Sequence, residues 1–257
     1  MGSRLRLRGN DRAALMPHAI RIATAGWTIP GTHARHFSGE GSHLARYATL
    51  LSAAEINTTF YRSHRPDTLR RWADTVPKNF RFAVKVPREI THDRRLVDAI
   101  APLEKFLDLV KPLGPCLGPL LVQLPPSFAY DAALAQTFFA SLRERHAGDV
   151  VCEPRHPTWF AAEVGALLDD FRIARVAADP PPVPDAATPG GWHGLAYFRL
   201  HGAPKMYFSP YSDADLHALA ARLTAAAEHA PIWCVFDNTA HGHALGNALT
   251  VQELVAP

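Results

Sequence analysis

Short apolar runs alternate with segments of helical periodicity along this chain, from residue 20 to near its end, without an internal change in composition. The runs predict β-strands at 20–25, 53–58, 81–86, 120–124, 150–153, 173–178, 195–201 and 232–237. Strands that alternate with helices are typical of parallel pairing. Eight strand–helix units in about 240 residues have the number and size of a TIM-type (β/α)8 barrel. The sequence therefore predicts an α/β fold made of one such barrel.

An open doubly wound sheet is the alternative architecture that the same alternation allows. Such a sheet normally carries a glycine-rich phosphate loop after its first strand. Here the first strand is followed by GWTIPG, which has neither the GxGxxG nor the GxxxxGK(S/T) spacing. This comparison favours the barrel, and it assigns no cofactor to the chain.

The first 15 residues differ from the rest of the chain, because they include four arginines and lack the apolar segment of a secretory signal. We expect residues 1–15 to form a disordered basic leader, with translation starting at Met1 or at Met16, and residues 16–257 to form the barrel domain. Three cysteines without CxxC spacing indicate reduced thiols in a cytoplasmic protein. No run is long enough to span a bilayer, so no membrane partner is expected.

Polar residues gather on one side of the predicted strands, toward their C-terminal ends. In a parallel barrel, side chains alternate between the interior and the surrounding helices. Burying a polar group there without a partner would cost roughly 2–7 kcal/mol. The inward-facing polar residues predicted in this way are Glu55, Asn57, Lys85, Gln123, Arg199, His201 and Asp237. We expect them to converge at the C-terminal mouth of the barrel, either around a ligand or as a plug of mutually satisfied polar groups.

The fifth strand runs into the segment VVCEPRHPTWF, where two prolines prevent further regular strand or helix. Glu153, Arg155 and His156 therefore crowd together at the end of a buried strand. We predict that the Glu153 carboxylate lies within ion-pair or hydrogen-bond distance of at least one of Arg155, Arg199 and His201.

Seven ordered blocks of the chain resemble a known family. They are TAGWTIPG, YATLLSAAEINTTFYR, FRFAVKVPREITH, LGPLLVQLPPSF, CEPRHPTWF, YFRLHG and WCVFDNTAHGHALGNAL. Together they are similar to the "domain of unknown function 72" family, the YecE-like proteins, over residues 20–254. The resemblance implies a single-domain (β/α)8 barrel and supplies no reaction. The polar residues in the matching blocks are Glu55, Asn57, Lys85, Gln123, Glu153, Arg155, His156, Arg199, His201, Asp237 and Asn238.

We predict an enzyme that acts on a small anionic or polyhydroxylated molecule, such as a phosphate or a sugar. Glu153 and His201 would donate and accept protons, because burial and nearby cations can bring the pKa of each toward neutrality. Asp237 completes the predicted catalytic set. The anionic group would be held chiefly by Arg199, with Lys85 assisting. The other residues predicted to bind the substrate are Glu55, Asn57, Gln123, Arg155, His156 and Asn238.

A metal-dependent isomerase or hydrolase is a second interpretation. Strands five to eight would each contribute one ligand, which resembles the metal arrangement of xylose-isomerase-like barrels: Glu153, Asp179, His201 and Asp237. Two observations weigh against this interpretation. Arg155 and Arg199 would place positive charge beside the metal. In addition, Asp179 shares one side of its strand with Arg175, so an inward Asp179 would require a bulge or an early end of the strand.

A third interpretation is a non-catalytic protein that binds phosphate or nucleic acid through a cationic mouth formed by Arg62, Arg88, Arg155 and Arg199. A net charge of only +3 argues against an extended nucleic-acid footprint. Four aromatic residues of the same loops would cover a ligand or simply pack the loops: Trp27, Tyr61, Trp159 and Tyr207. Cys152 and Cys234 fall among helix-facing residues, where a thiol usually serves as a small apolar filler and not as a nucleophile.

Overall fold

The structure is a computed structural model, and it describes residues 18–37 and 39–256 of the 257-residue chain. The predicted leader, residues 1–15, lies outside the described residues. Ten strands occur in the described part of the chain. They are β1 (Ile20–Thr24), β2 (Ala53–Ile56), β3 (Arg81–Lys85), β4 (Leu117–Gln123), β5 (Val150–Glu153), β6 (Ile173–Arg175), β7 (Ala177–Asp179), β8 (Gly190–Gly191), β9 (Ala196–Leu200) and β10 (Ile232–Phe236).

Seven α-helices occur among the same residues. They are α1 (His43–Tyr47), α2 (Pro66–Thr75), α3 (Ile100–Val110), α4 (Ala132–Arg145), α5 (Ala162–Asp170), α6 (Asp213–Ala226) and α7 (His243–Leu254). Short 3-10 helices lie at Gly31–His36, Thr58–Phe60, Lys111–Cys116, Pro157–Phe160 and Pro184–Ala187, and a π-helix lies at Glu89–Asp93. In the part of the chain that the structure describes, no helix is both long enough and apolar enough to cross a bilayer.

The connection between β7 and β9 differs from the prediction of eight helical segments. Its helical content is the single 3-10 helix Pro184–Ala187. The connection is rich in proline, and each proline removes a backbone donor that an α-helix would use. At α4 and α6 the helix starts are capped by side chains. Asp131 accepts from the Leu134 N–H at 2.9 Å at the start of α4, and Ser212 forms a capping box with Asp215 at the start of α6.

The strands form two sheets. One has the order β1-β10-β9-β7 and the other has the order β2-β3-β4-β5-β6-β8. All neighbouring strands run parallel except β6 and β8. Within the described residues, strand pairing therefore does not close a single sheet, in contrast to the one closed barrel that the sequence predicts. The chain has an α/β fold with two mainly parallel sheets.

The two sheets adjoin at both of their ends. Val176 alone separates β6 from β7, so the predicted strand 173–178 is divided between the sheets. At the other ends, Ala25 forms an isolated parallel bridge with Glu55, and the Gly26 N–H donates to the Glu55 carbonyl at 2.8 Å. The strands β1 and β2 consequently lie side by side although they belong to different sheets.

Two apolar clusters form the core. The larger lies between the strands and the helices. The smaller, here called the inner cluster, lies on the other face of the strands and consists of Ala23, Ala53, Ala83, Leu121, Val151, Ala174, Val176, Leu195, Tyr197, Trp233 and Val235. The rings of Tyr197 and Trp233 stack with centroids 6.0 Å apart. Trp233 also packs over Gly118, where a Cβ atom would approach the indole ring to 2.8 Å, so a larger residue would displace it.

Side chains keep alternating through the break between β6 and β7. Val176 belongs to the inner cluster, whereas Arg175 and Asp179 face the helices. The Arg175 guanidinium lies over the Phe160 ring at 5.0 Å, and the Asp179 carboxylate accepts a hydrogen bond from the Tyr211 hydroxyl at 2.9 Å. The sequence raised the difficulty that an inward-facing Asp179 would share its side of the strand with Arg175. This difficulty does not arise, because neither side chain enters the inner cluster.

The three cysteines have free thiols. Cys152 and Cys234 lie in the larger cluster, between strands and helices, as the sequence predicts. Burial raises the pKa of both thiols, so both are protonated at neutral pH. Their role is therefore that of small apolar core residues.

Candidate functional site

Eight polar side chains gather at the carboxyl ends of the strands, on the face that carries the inner cluster. We call them the polar cluster: Glu55, Lys85, Gln123, Glu153, Arg155, Arg199, His201 and Asp237. Seven of them are buried, and the side chain of Arg155 is 10% exposed. Strand periodicity explains the position of most of them. Glu55 lies two residues beyond Ala53 on β2, and Arg199 lies two residues beyond Tyr197 on β9.

Arg199 joins the acidic residues of the polar cluster. Its Nε and Nη2 atoms donate to the two Glu55 oxygens at 3.0 and 2.7 Å, which is a bidentate pairing. Nη1 donates to Glu153 at 3.2 Å, and Nη2 lies 2.9 Å from Asp237 Oδ2. Burial alone would lower the pKa of the Arg199 guanidinium, but the three carboxylates raise it well above its ordinary value. The side chain has no exposed surface, and the assignment of Arg199 as the chief anion-binding residue stays a prediction.

Glu153 has four partners. Its Oε1 atom lies 2.6 Å from Arg155 Nη2 and 2.8 Å from His201 Nε2. Its Oε2 atom accepts from Arg199 at 3.2 Å and from the Gln123 amide at 3.1 Å. The predicted contact of Glu153 with a cation is thus confirmed. Burial would raise the pKa of Glu153, but Arg155, Arg199 and His201 hold it well below its ordinary value, so the carboxylate is ionised at neutral pH.

His201 lies between two carboxylates. Its Nδ1 atom is 3.1 Å from Asp237 Oδ2, and its Nε2 atom is 2.8 Å from Glu153 Oε1 and also contacts Arg155 Nη2. One tautomer donates to Asp237 and accepts from Arg155, whereas the other donates to Glu153. The imidazole proton therefore finds a partner on either ring nitrogen. The Tyr207 ring lies edge-on to the imidazole, with centroids 5.6 Å apart, and covers it.

Lys85 differs from the two arginines of the polar cluster because it has no acidic partner. Its Nζ atom lies 4.0 Å from the centre of the Phe60 ring, and it forms no ion pair with any described residue. The side chain is nevertheless buried. Burial, together with repulsion from Arg199, lowers the pKa of Lys85 to about 8, although Glu55, Asp237 and Glu153 act in the opposite direction.

This pKa predicts a pH-dependent contribution of Lys85 to stability. Between the folded pKa of about 8 and the ordinary value of 10.5, the unfolded chain binds more protons at this residue than the folded chain does. The free energy of unfolding should therefore rise with pH in this window, by about 2–3 kcal/mol relative to Lys85→Met. Urea unfolding of both proteins at pH values from 7 to 10 measures the difference. The exposed Lys78 provides the control, and a Lys78→Met variant should show no such divergence. Parallel curves for wild type and Lys85→Met would contradict the prediction.

A cavity of about 370 Å³ opens beside the polar cluster. Gln123 and Arg155 line it, and these two residues also contact Glu153. His92 and Tyr207 are its other polar lining residues, and prolines of the loops after β4 and β7 form much of the apolar wall. The cavity therefore reaches the polar cluster at Gln123 and Arg155, whereas Arg199 does not line it.

His92 and Phe60 belong to the site although the sequence did not single them out. The two rings meet edge-on with centroids 4.9 Å apart, and the Phe60 ring also carries Lys85 Nζ. Burial, followed by the charges of Lys85 and Arg88, lowers the pKa of His92 to about 4, so its imidazole is neutral at physiological pH. Their position in the sequence could have indicated them. Phe60 follows the end of β2 and His92 follows the end of β3, and both lie in the blocks that resemble the family.

Three predicted site residues form no hydrogen bond with the polar cluster among the described residues. Asn57 begins a 3-10 turn where β2 has already ended. The His156 ring caps the 3-10 helix Pro157–Phe160 by accepting a hydrogen bond from the Thr158 N–H. The Asn238 amide donates to the Ser209 carbonyl at 3.0 Å and to the Asn247 side chain at 2.8 Å. His156 and Asn238 thus stabilise loops, whereas the buried Asn57 side-chain oxygen has no hydrogen-bond partner in the described part of the chain. That these three residues bind the substrate stays a prediction.

The four-ligand metal arrangement is wrong in one of its members. Asp179 faces α6 and binds the Tyr211 hydroxyl. Glu153 and His201 belong to the polar cluster, which lies on the other face of the strands. Across residues 18–37 and 39–256, no group of three or more His, Cys, Asp or Glu side chains is arranged to hold a metal ion. The carboxylates of the polar cluster are instead directed at Arg199 and Arg155.

The four aromatic residues expected near the mouth separate into different roles. Tyr207 covers His201, as described above. Trp159 is fully buried and donates through Nε1 to the Phe128 carbonyl at 2.9 Å. Trp27 packs edge-on against Trp72, with centroids 4.8 Å apart. Tyr61 is 73% exposed. Only Tyr207 among these four lies over the polar cluster.

Comparison with known sequences gives one family. The family model described as "Protein of unknown function DUF72" matches residues 21–257. The chain is also 33% identical over 119 residues to the UPF0759 protein YecE of Escherichia coli (strain K12). That stretch is 46% of this chain and 43% of the relative, so the match spans less than half of the relative's length.

Solved structures with the same fold include two DUF72 family proteins. The protein from Enterococcus faecalis V583 aligns with a TM-score of 0.77 at 21% identity, over 92% of this chain and 95% of its own. The protein from Thermotoga maritima MSB8 aligns with a TM-score of 0.77 at 23% identity, over 93% and 99%. A xylose isomerase-like TIM barrel/4-hydroxyphenylpyruvate dioxygenase fusion protein aligns with a TM-score of 0.50 at 14% identity, over 90% of this chain and 41% of its own. At these identities the similarity concerns the fold alone.

Proposed function

We propose that this chain, which belongs to the DUF72 family of proteins of unknown function, is an enzyme that acts on a small anionic or polyhydroxylated substrate at the polar cluster. One observation carries the proposal. The cavity is lined by Arg155 and Gln123, and both of these residues contact the same carboxylate, Glu153, that His201 contacts. A substrate that occupies the cavity would thus meet a cation and an amide, with proton-transferring groups directly behind them.

The anionic group of the substrate would be held by Arg155 and Gln123. Arg155 is the only cation of the polar cluster that both lines the cavity and is partly exposed. Its guanidinium contacts one oxygen of Glu153 through Nη2, and a fork of five donors leaves others for a phosphate or a carboxylate. Arg199, which does not line the cavity, would keep the carboxylates of the polar cluster ionised and in place.

Proton transfer would depend on His201. Because Glu153 is held ionised, it acts as an acceptor and not as the proton donor that the sequence suggested. His201 has a partner on each ring nitrogen, so it can take a proton on the Glu153 side while Asp237 supports the other side. In this scheme Asp237 orients the imidazole, and Glu153 and His201 share the transferred proton.

We also propose that the two sheets together form one (β/α)8 barrel and that the protein is cytoplasmic. The bridge between Ala25 and Glu55 and the single-residue gap at Val176 support the barrel, because they join the sheets at both ends. The fold similarity to a xylose isomerase-like TIM barrel supports it as well. Three free thiols support the compartment.

Binding of inorganic phosphate and of a sugar phosphate tests the proposed site. We expect wild-type protein to bind at least one of them at millimolar concentration by isothermal titration calorimetry. Arg155→Gln should weaken that binding about tenfold or more, because it removes a charge-assisted contact. Glu153 keeps three of its partners in this variant, so the protein should remain folded.

Arg70→Gln is the matched control, because Arg70 is an exposed residue of α2 paired with Asp67. It should bind like wild type. The proposal fails if wild type binds neither compound, or if both variants bind as tightly as wild type. Steeply salt-dependent binding of a DNA oligonucleotide without binding of phosphate would favour the non-catalytic nucleic-acid interpretation instead.

A further inference from the structure

We infer that the Lys85 amine is a nucleophile that captures a carbonyl compound as an imine, so that the substrate is a small aldehyde or ketone carrying an anionic group. This inference rests on the proposed function, since the anionic group would bind Arg155 and Gln123 in the cavity. Lys85 itself does not line the cavity, but His92 does, and its ring meets the Phe60 ring that carries Lys85 Nζ. It adds the reacting functional group of the substrate and a covalent step to that function.

The first support is the unusual surroundings of Lys85. The chain has five lysines, and the other four are exposed: Lys78, Lys105, Lys111 and Lys205. Lys85 is 5% exposed and rests on the Phe60 ring. Three carboxylates belong to the same polar cluster, yet all three are directed at arginines. A lysine kept only for structure would be expected to pair with one of them, because an unpaired buried ammonium is costly.

The second support is the protonation that these surroundings impose. An amine attacks a carbonyl carbon only in its neutral form, and enzymes favour that form by desolvation or by a neighbouring cation. Both causes act on Lys85, because burial and the charge of Arg199 lower its pKa to about 8. The neighbouring His92 is also neutral at physiological pH, so it adds no charge.

The third support is the set of groups available for the accompanying proton transfers. The nitrogen lone pair of Lys85 forms a bond to the carbonyl carbon, and the carbonyl π electrons move to oxygen, which takes up a proton. The nitrogen of this carbinolamine then loses a proton, and the hydroxyl leaves with a proton as water, which gives the protonated imine. Loss of the second nitrogen proton gives the imine. The net change is amine plus carbonyl to imine plus water, with no oxidant or reductant. His201, between Glu153 and Asp237, is suited to carry these protons.

Reductive trapping tests the inference directly. Wild-type protein is incubated with pyruvate, an anionic ketone, or with glyoxylate, an anionic aldehyde, and sodium borohydride is added to reduce any imine to a stable secondary amine. Peptide mass spectrometry then locates the adduct. We expect at least one of the two probes to give a single main adduct on Lys85, and Arg155→Gln to reduce its yield several-fold.

Lys205→Met is the matched control, because Lys205 also lies over a phenylalanine ring, that of Phe208 at 4.2 Å, but is exposed. It should be labelled at Lys85 like wild type, whereas Lys85→Met should lose the main adduct. Labelling of wild type spread over the exposed lysines, or no adduct on Lys85 with either probe, would overturn the inference. Because the site is read from wild-type peptides, the result does not depend on how well Lys85→Met folds.

Calorimetric titration with phosphate, without borohydride, separates the two proposals. If phosphate binding depends on Arg155 but neither probe is trapped on Lys85, the carbonyl chemistry is wrong and the proposed anion site stands. If phosphate and sugar phosphate fail to bind and no adduct forms, both proposals fall. Trapping at Lys85 that is lost in Arg155→Gln would support both together.

Discussion

Arg199→Ala is expected to lower the free energy of unfolding by about 3–5 kcal/mol at neutral pH. The substitution would leave Glu55, Glu153 and Asp237 in a site with almost no solvent access and without the cation that all three contact. The pKa values of Glu153 and Asp237 lie below their ordinary values partly because of Arg199. Urea unfolding followed by circular dichroism measures the loss.

The pH dependence of this loss provides a second measurement. A carboxylate whose folded pKa is depressed contributes stability above its unfolded pKa and loses that contribution as the pH falls through the folded value. The difference between wild type and Arg199→Ala should therefore be largest at neutral pH and shrink as the pH falls below about 4. Arg70→Ala, which removes an exposed partner of Asp67, should cost less than about 1 kcal/mol. A loss as small as this for Arg199→Ala would show that the acidic residues do not depend on Arg199.

Trp159→Ala should be comparably destabilising, by about 3–5 kcal/mol. The indole is fully buried and packs edge-on against Phe128 and Tyr130, with centroids 5.7 and 5.0 Å away. It lies a few residues beyond Glu153 and Arg155, so its packing is expected to hold the segment that carries them. The same urea measurement serves here.

Trp159→Phe separates packing from hydrogen bonding in this segment. It keeps an aromatic ring but leaves the Phe128 carbonyl without its indole donor, so an intermediate loss of about 1–3 kcal/mol is expected. If Trp159→Ala costs no more than Trp159→Phe, the packing contribution proposed for the indole is wrong.

Strand periodicity made most of the polar cluster predictable from sequence. Alternation placed Glu55, Lys85, Gln123 and Arg199 on the inward side, and the structure confirms this placement for each of them. The same rule failed at Asn57, because β2 ends at Ile56 and the chain turns into a 3-10 helix. Alternation holds only while the backbone stays extended, so residues just beyond a strand end escape it.

Which residues pair with each other in the polar cluster was less predictable than which residues belong to it. The sequence left open whether Arg199 met an internal acid or a ligand anion, because the answer depends on which strands become neighbours in space. Glu55 and Glu153 belong to one sheet and Arg199 to the other. No local pattern encodes a contact between sheets, and the same holds for His92, whose ring reaches the site from the π-helix Glu89–Asp93.

The contact between the two sheets also has a consequence for the order in which the chain folds. Glu55 and Arg199 are separated by 144 residues, so their pairing closes a very long loop, and it needs both sheets in position. Such a pairing would form late, after the transition state for folding. The stability that Arg199 supplies should then mainly lower the unfolding rate and have little influence on the folding rate. The charged network at the strand ends would thus set the lifetime of the folded protein.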